Sequence, residues 1–266
     1  MTFDSKTLEG GSYKGERPME MKDLVCVVTG AGQGIGQAVA EKFFNEGACV
    51  SLWDMDGALA RKAALSIDPS GERTMAVPMN VTREAESVEA VRKTIEQFSR
   101  IDVLVNVAGI SRHKTLENMT LKLWQQVIDV DMKGVFLCCK AVVPVLKVQK
   151  RGKIVNISSL GGRTGRPGVG VNYAAAKAGV IGITQLLAKE LGPAGIYVNA
   201  IAPGPILTEQ TRQYPPEVFA AWNVGRAIPK DGLPEDVADV SVFLGSSRSD
   251  WVTGATVDIN GGILIL

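Results

Sequence analysis

A tyrosine and a lysine stand four residues apart, Tyr173-Ala-Ala-Ala-Lys177, in a stretch that reads as helix. At that spacing the phenol and the ammonium share a helix face, and a cation there favours an ionised phenol. An unperturbed phenol loses its proton at about pH 10, and lowering that by about 2 to 3 units takes roughly 3 to 4 kcal/mol. One ammonium about 4 Å away supplies roughly 4 kcal/mol at an effective dielectric of 20. Such a pair can exchange a proton with a substrate near neutral pH. The same spacing also arises when a half-buried tyrosine merely neighbours a surface lysine, so the pair draws its meaning from the rest of the chain.

A second constellation lies nearer the N-terminus. The run Thr29-Gly30-Ala31-Gly32-Gln33-Gly34-Ile35-Gly36 follows an apolar segment and leads into a helical one. Glycines there let backbone approach a pyrophosphate at the positive end of a helix. The G-x-G-x-x-G register fails because Ile35 occupies the position of its third glycine; the spacing is T-G-x-x-x-G-x-G. Asp54 follows eighteen positions after Gly36, at the end of the second apolar run. Its carboxylate can accept hydrogen bonds from adenosine ribose hydroxyls and would repel a 2′-phosphate. Neither Gln33 nor Met55 offers a cation to offset that repulsion, so NAD(H) is expected over NADP(H). The competing reading makes Asp54 a cap for a helix near Gly57.

Bringing these segments together requires a scaffold, and the hydrophobic pattern supplies one. Short apolar runs, read as buried strands, span Leu24 to Thr29, Cys49 to Trp53, Thr74 to Pro78, Ile101 to Asn106, Lys153 to Ser158, Tyr197 to Ile201 and Thr256 to Ile259. Helix-like stretches between them include Gly34 to Asn45, Arg83 to Phe98, Leu121 to Leu146, Tyr173 to Leu191 and Pro234 to Leu244, with Pro144 expected to stop or kink the third. Alternation of this kind predicts an α/β fold: a single-domain, Rossmann-like, doubly wound parallel sheet of about seven strands with helices on both faces. Ligands of such sheets sit beyond the carboxyl ends of the strands.

Composition narrows the class further. The 266 residues show no compositional break, so one domain over 22–266 is expected, preceded by a tail over 1–21. Lys plus Arg number 29 against 28 for Asp plus Glu, which argues against nucleic acid or an anionic membrane as partner. Cys26, Cys49, Cys138 and Cys139 lack metal-ligand spacing, and His113 is the single histidine, so no metal site is expected and a reducing compartment fits. No apolar run reaches 18 residues and no secretory pattern opens the chain, so a soluble, cytoplasmic protein is expected.

Together these motifs resemble the short-chain dehydrogenase/reductase family over about Leu24 to Gly262. The glycine turn matches T-G-x-x-x-G-I-G, and Asn106-Val107-Ala108-Gly109 is similar to N-N-A-G with Val107 in place of the second Asn. Asn156-Ile157-Ser158-Ser159 resembles the catalytic-serine segment, and Tyr173 and Lys177 fall on Y-x-x-x-K. Pro203-Gly204-Pro205-Ile206-Leu207-Thr208 is similar to P-G-x-x-x-T, and Asp258 with Gly261-Gly262 fits the family's ending.

The resemblance implies roles by position. Tyr173 is the general acid and base, Ser159 steadies the carbonyl oxygen, with Ser158 the weaker alternative, and Lys177 supports the phenol and binds the nicotinamide ribose. Gly30, Gln33, Gly34, Ile35 and Gly36 hold the dinucleotide with Asp54, Asn80 and Val81. Asn106, Ala108 and Gly109 line its middle; Pro203, Gly204, Ile206 and Thr208 close over the nicotinamide. Asp131 takes the place of the family's fourth catalytic residue, an Asn that helps position a water relayed to the lysine. At about 7 Å from Lys177 and an effective dielectric of 20, its charge would couple by roughly 2 kcal/mol. The resemblance also implies a homo-oligomer, tetramer or dimer.

The Pro205 to Pro234 segment, with Tyr214, Phe219 and Trp222, reads as a lid whose aromatics either face the substrate or anchor the lid itself. Arg112, His113, Arg163 and Arg166 either meet a polar substrate or sit in solvent. The leading expectation is an NAD(H)-dependent oxidoreductase interconverting a secondary alcohol and a ketone on a sugar, polyol or other small hydroxy compound. The alternative substrate is a 3-oxoacyl thioester on a carrier protein, and a different class is a nucleotide-binding sensor or scaffold with weakened chemistry.

Overall fold

Alternate residues of a buried strand must face opposite sides of its sheet, and here both sides are covered. In the computed structural model, which describes residues 20–266, Cys26 and Val28 of β1 (Val25–Thr29) enter one apolar cluster while Val27 enters the other. After it come α1 (Gly34–Asn45), β2 (Cys49–Asp54), α2 (Gly57–Ile67), β3 (Thr74–Pro78), α3 (Glu84–Phe98) and β4 (Val103–Asn106). The second half runs α4 (Leu121–Ile128), α5 (Gly134–Gln149), β5 (Gly152–Ile157), α6 (Val171–Leu191), β6 (Ile196–Pro203), α7 (Pro216–Trp222), α8 (Pro234–Gly245) and β7 (Thr256–Ile259).

The seven strands form one parallel sheet in the order β3-β2-β1-β4-β5-β6-β7. The chain order reverses between β1 and β4, where Cys26 lies opposite Val103 and Thr29 opposite Asn106. Phe43 of α1 and Val237 of α8 fill one face; Val91 of α3, Val142 of α5 and Val180 of α6 fill the other. This is the expected doubly wound, Rossmann-like architecture.

Three features differ from the sequence reading. The stretch from Leu121 is not one helix: a π turn at Asp129–Lys133 separates α4 from α5. Pro144 neither stops nor ends α5, which continues to Gln149; Pro144 and Lys140, whose carbonyl loses its donor, both face solvent, so water can serve that carbonyl. Met21, assigned to the tail, is fully buried and packs with Phe43, so the core begins before residue 22. The rest of the expected tail, residues 1–19, lies outside the described residues. Among the described residues no helix is long and apolar enough to cross a membrane.

Candidate active site

A cleft of about 620 Å³ opens at the carboxyl ends of the strands, spanning the β1–β4 reversal. Its first wall is the glycine turn between β1 and α1, lined by Gly30, Gln33, Gly34, Ile35 and Gly36. Gly30 takes a left-handed φ of 64°, and a Cβ on Gly36 would stand 2.1 Å from the Gly30 carbonyl, so that contact excludes any side chain. No side chain caps α1, which leaves its first-turn N–H groups for a ligand. Thr29 ties this turn to the next: its Oγ1 accepts from Val107 N at 3.0 Å and from Ala108 N at 3.1 Å.

Asp54 ends β2 at the cleft's edge. Its Oδ2 accepts from Gly32 N at 2.9 Å and its Oδ1 from Asp56 N at 2.9 Å, fixing a carboxylate that retains free lone pairs. The capping role belongs to Asp56, which accepts from Ala58 N and Leu59 N at the start of α2. Asn80 and Val81 line the cleft beyond β3, with Asn80 Oδ1 accepting from Thr82 Oγ1 at 2.9 Å.

Of the predicted cofactor residues, Asn106 alone lies off the cleft. It is 2% exposed, and its amide donates to Asn156 Oδ1 at 2.9 Å and Cys139 Sγ at 3.4 Å, beneath α5 and α6. As the last residue of β4 it follows the strand's alternation inward, and the lining begins with Val107, Ala108 and Gly109.

The π turn delivers Asp131 to the floor of the cleft, fully buried, with Oδ1 accepting from Ile110 N at 2.8 Å. Its Oδ2 stands 3.3 Å from Lys177 Nζ but accepts no well-directed hydrogen bond. The expected separation of about 7 Å is therefore too long, and the direct Coulomb coupling is about 5 kcal/mol at an effective dielectric of 20. Burial pushes the Asp131 carboxyl above the ordinary range, against the opposing pull of Lys177 and of the Ile110 N–H. Gly109 permits the approach: a Cβ there would lie 2.9 Å from Asp131 Oδ2 and 3.4 Å from Lys177 Nζ.

Lys177, 4% exposed, also donates to the Ile157 carbonyl at 3.0 Å, and its ammonium lies 5.7 Å from the Tyr173 ring centre. The two serines at the end of β5 part company. Ser158 Oγ donates to the Lys177 carbonyl at 2.8 Å in a buried contact, whereas Ser159 is half-buried, with Oγ accepting from Gly161 N at 3.1 Å. A Cβ on Gly161 would lie 3.5 Å from the Tyr173 ring and 3.6 Å from Ser159 Oγ, so both side chains border one small space. Tyr173 is held from behind by Asn172, whose Oδ1 accepts from Tyr173 N and whose Nδ2 donates to the carbonyls of Arg112 and Leu123. Sequence reading passed over Asn172, since nothing but its adjacency to Tyr173 marks it.

The segment after β6 borders the far end of the cleft. Pro203, Gly204, Ile206 and Thr208 line the cleft after β6, and Thr211 Oγ1 braces their turn by donating to the Ile206 carbonyl and accepting from Thr208 N. Trp222 and Tyr214 reach the cleft and pack edge-on at 4.9 Å, while Phe219 backs Trp222 at 6.4 Å. His113 stands edge-on to Tyr173 at 5.2 Å and to Trp222 at 6.3 Å, and burial holds its imidazole below the usual range. Arg166 also lines the cleft, Arg163 pairs with Asp258, and Arg112 is exposed. Burial pushes the Cys138 and Cys139 thiols up to about 12, away from any chemistry near neutral pH.

Known proteins are similar to this chain along most of its length. A family model described as enoyl-(acyl carrier protein) reductase matches residues 30–264. The chain is 40% identical over 247 residues to a 3-oxoacyl-(acyl-carrier-protein) reductase of Thermotoga maritima, covering 93% of this chain and all of that one. It is also 40% identical to a (3R)-3-hydroxyacyl-CoA dehydrogenase of Canis lupus familiaris, over 92% of this chain and 98% of the relative. A crystal structure of a 3-oxoacyl-(acyl-carrier protein) reductase with bound NAD from Brucella melitensis superposes with a TM-score of 0.86 at 36% identity, covering 93% and 94% of the two chains. The chain belongs to the short-chain dehydrogenase/reductase family. It is an oxidoreductase acting on CH–OH groups.

Proposed function

We propose that the protein interconverts 3-hydroxyacyl and 3-oxoacyl thioesters with NAD(H). The observation that carries the reaction is the meeting of Tyr173, Ser159 and Lys177 in one cleft whose other end carries Asp54. The named relatives act on acyl thioesters, which supports that substrate class over the sugar or polyol expected first. Leu160, Val169, Tyr214 and Trp222 give the cleft an apolar wall that suits an acyl chain. The intact Tyr-Lys-Ser group argues against a sensor that has lost chemistry.

The residues present fit a dinucleotide: the uncapped start of α1 would receive its pyrophosphate and Asp54 its adenosine ribose. When bound, the nicotinamide gives or takes the hydride. Ser159 Oγ then donates to the substrate oxygen, and Tyr173 holds the proton that this oxygen gains on reduction and loses on oxidation. Lys177 keeps a positive charge behind the phenol, anchored by the Ile157 carbonyl and opposed by Asp131. Asp54 favours NAD(H) because a 2′-phosphate would meet a carboxylate with no cation nearby at Gln33 or Met55.

The test is an assay of 3-oxoacyl thioesters, sugars and polyols, each with NAD(H) and NADP(H). A thioester turned over with NAD(H) at least about 10-fold more efficiently than with NADP(H) is expected, a ratio that Asp54→Ala should lower. Preference for NADP(H), or turnover confined to polyols, would overturn the corresponding half of the proposal.

Asp131 supplies a further expectation. Asp131→Asn removes the buried charge opposing Lys177 and leaves the ammonium's field at Tyr173 less cancelled. The pH profile of kcat/KM for alcohol oxidation is expected to move toward lower pH. An unchanged kcat/KM profile would make the carboxylate electrostatically silent.

A further inference from the structure

The cleft is lined by four carboxylates, Asp54, Asp56, Asp131 and Glu209, and none of them pairs with Arg166 among the described residues. Asp54 and Asp56 stand at the end of β2, and Asp131 is held against Lys177. Glu209 lies at the glycine turn, where its Oε2 would be 3.7 Å from a Cβ on Gly34. Arg163, three residues before Arg166, shows the ordinary arrangement, with Nε and Nη2 on the two oxygens of Asp258 at 3.2 and 3.0 Å.

Arg166 is half-buried, and burial disfavours its charged form. Its hydrogen bond among the described residues goes from Nη2 to the carbonyl of Trp222, the last residue of α7. A guanidinium has five N–H donors, so most remain for a ligand. His113 adds another: its Nδ1 accepts from Gly170 N at 3.1 Å, which in the neutral ring places the proton on Nε2. The imidazole lies between the rings of Tyr173 and Trp222, at 5.2 and 6.3 Å, in the cleft that Arg166 also lines.

We propose that Arg166, in the cleft it shares with His113, receives a carboxylate carried by the substrate. A substrate that carries a carboxylate would then be turned over in preference to its neutral methyl ester. This rests on the alcohol–ketone reading of the site and extends it to substrates that also carry a carboxylate. The carboxylate makes and breaks no bond; it orients the substrate and answers a cation that no carboxylate among the described residues pairs. The competing role for Arg166 is a latch that caps the end of α7 and holds the lid, and the two roles differ in what they discriminate.

The test uses matched pairs, 2-, 3- and 4-oxo acids against their methyl esters, with the wild-type protein, Arg166→Gln and Arg166→Lys. Glutamine can still donate to the Trp222 carbonyl but carries no charge. The acid-to-ester ratio of kcat/KM is expected to exceed about 10 for at least one pair, to fall about 10- to 100-fold in Arg166→Gln through KM, and to survive largely in Arg166→Lys. A pure latch would lower acid and ester together and leave the ratio unchanged, which overturns the proposal. Turnover of esters and thioesters with no preference for any acid sinks the carboxylate inference alone. Failure to turn over any member of the panel or any thioester sinks the alcohol–ketone reading with it.

Discussion

Tyr173→Phe is expected to lower kcat/KM by about 10²- to 10⁴-fold, the contribution of a positioned acid or base. The substitution removes one oxygen and keeps the ring, so the edge contact with His113 and the position over Lys177 survive. Tyr173 is half-buried at the start of α6 and its backbone N–H is bound by Asn172, so neither packing nor the helix start depends on the hydroxyl. Thermal stability and dinucleotide affinity, read by fluorescence titration, should therefore change little while turnover collapses. A variant that keeps more than about a tenth of wild-type efficiency would remove the phenol from the reaction, because a proton transfer without its acid cannot lose so little.

Lys177→Met is expected to cost stability as well as turnover. It leaves the Asp131 carboxyl fully buried without a cation, and breaking a buried pair from one side costs about 3 to 5 kcal/mol. The penalty depends on pH in a defined direction. Burial already holds the Asp131 carboxyl high, and loss of Lys177 removes the largest opposing influence, so the folded variant keeps its proton to higher pH than the unfolded chain does. Between the unfolded and folded values the native state binds the extra proton, and stability falls as pH rises. Below the ordinary carboxylate range the variant should approach the wild type; above it the gap should widen as pH rises, at up to about 1.4 kcal/mol per unit. Adding Asp131→Asn should restore most of the stability without the activity. Denaturant unfolding at several pH values checks this, and equal losses in the single and double variants would show that the cost lies in packing rather than charge.

Sheet and cleft were legible in the sequence because they rest on local patterns. Strands buried on both faces announce themselves as apolar runs, and β3 and β7 occupy the predicted residues. The glycine turn, Asp54, Ser159 and the Tyr173–Lys177 pair all line the cleft; the turn and Asp54 stand out in the sequence by following apolar runs, and the serine and the pair by their resemblance to family motifs. What escaped depends on contacts between distant segments. The π turn leaves no signature in Asp129-Val130-Asp131-Met132-Lys133, yet it is what carries Asp131 to within 3.3 Å of Lys177. Asn106 was misplaced because a strand-ending residue faces either the cleft or the core, and its partner Asn156, which decides the matter, lies on another strand. Arg166 and Arg163 look alike in sequence; only the fold shows that one meets Asp258 and the other lines the cleft.

The pairing of β1 with β4 has a consequence for how the protein comes to be active. Cys26 meets Val103 only after β2, β3 and their helices have been made, and Tyr173 arrives later still on α6. Contacts of such long sequence separation form slowly, since each must first close a large loop of chain. During synthesis or refolding the glycine turn can form early beside β2, but the cleft exists only once the central strands have joined. Regain of turnover would therefore follow regain of helical signal, making catalysis a marker of the finished molecule rather than of its collapsed precursors.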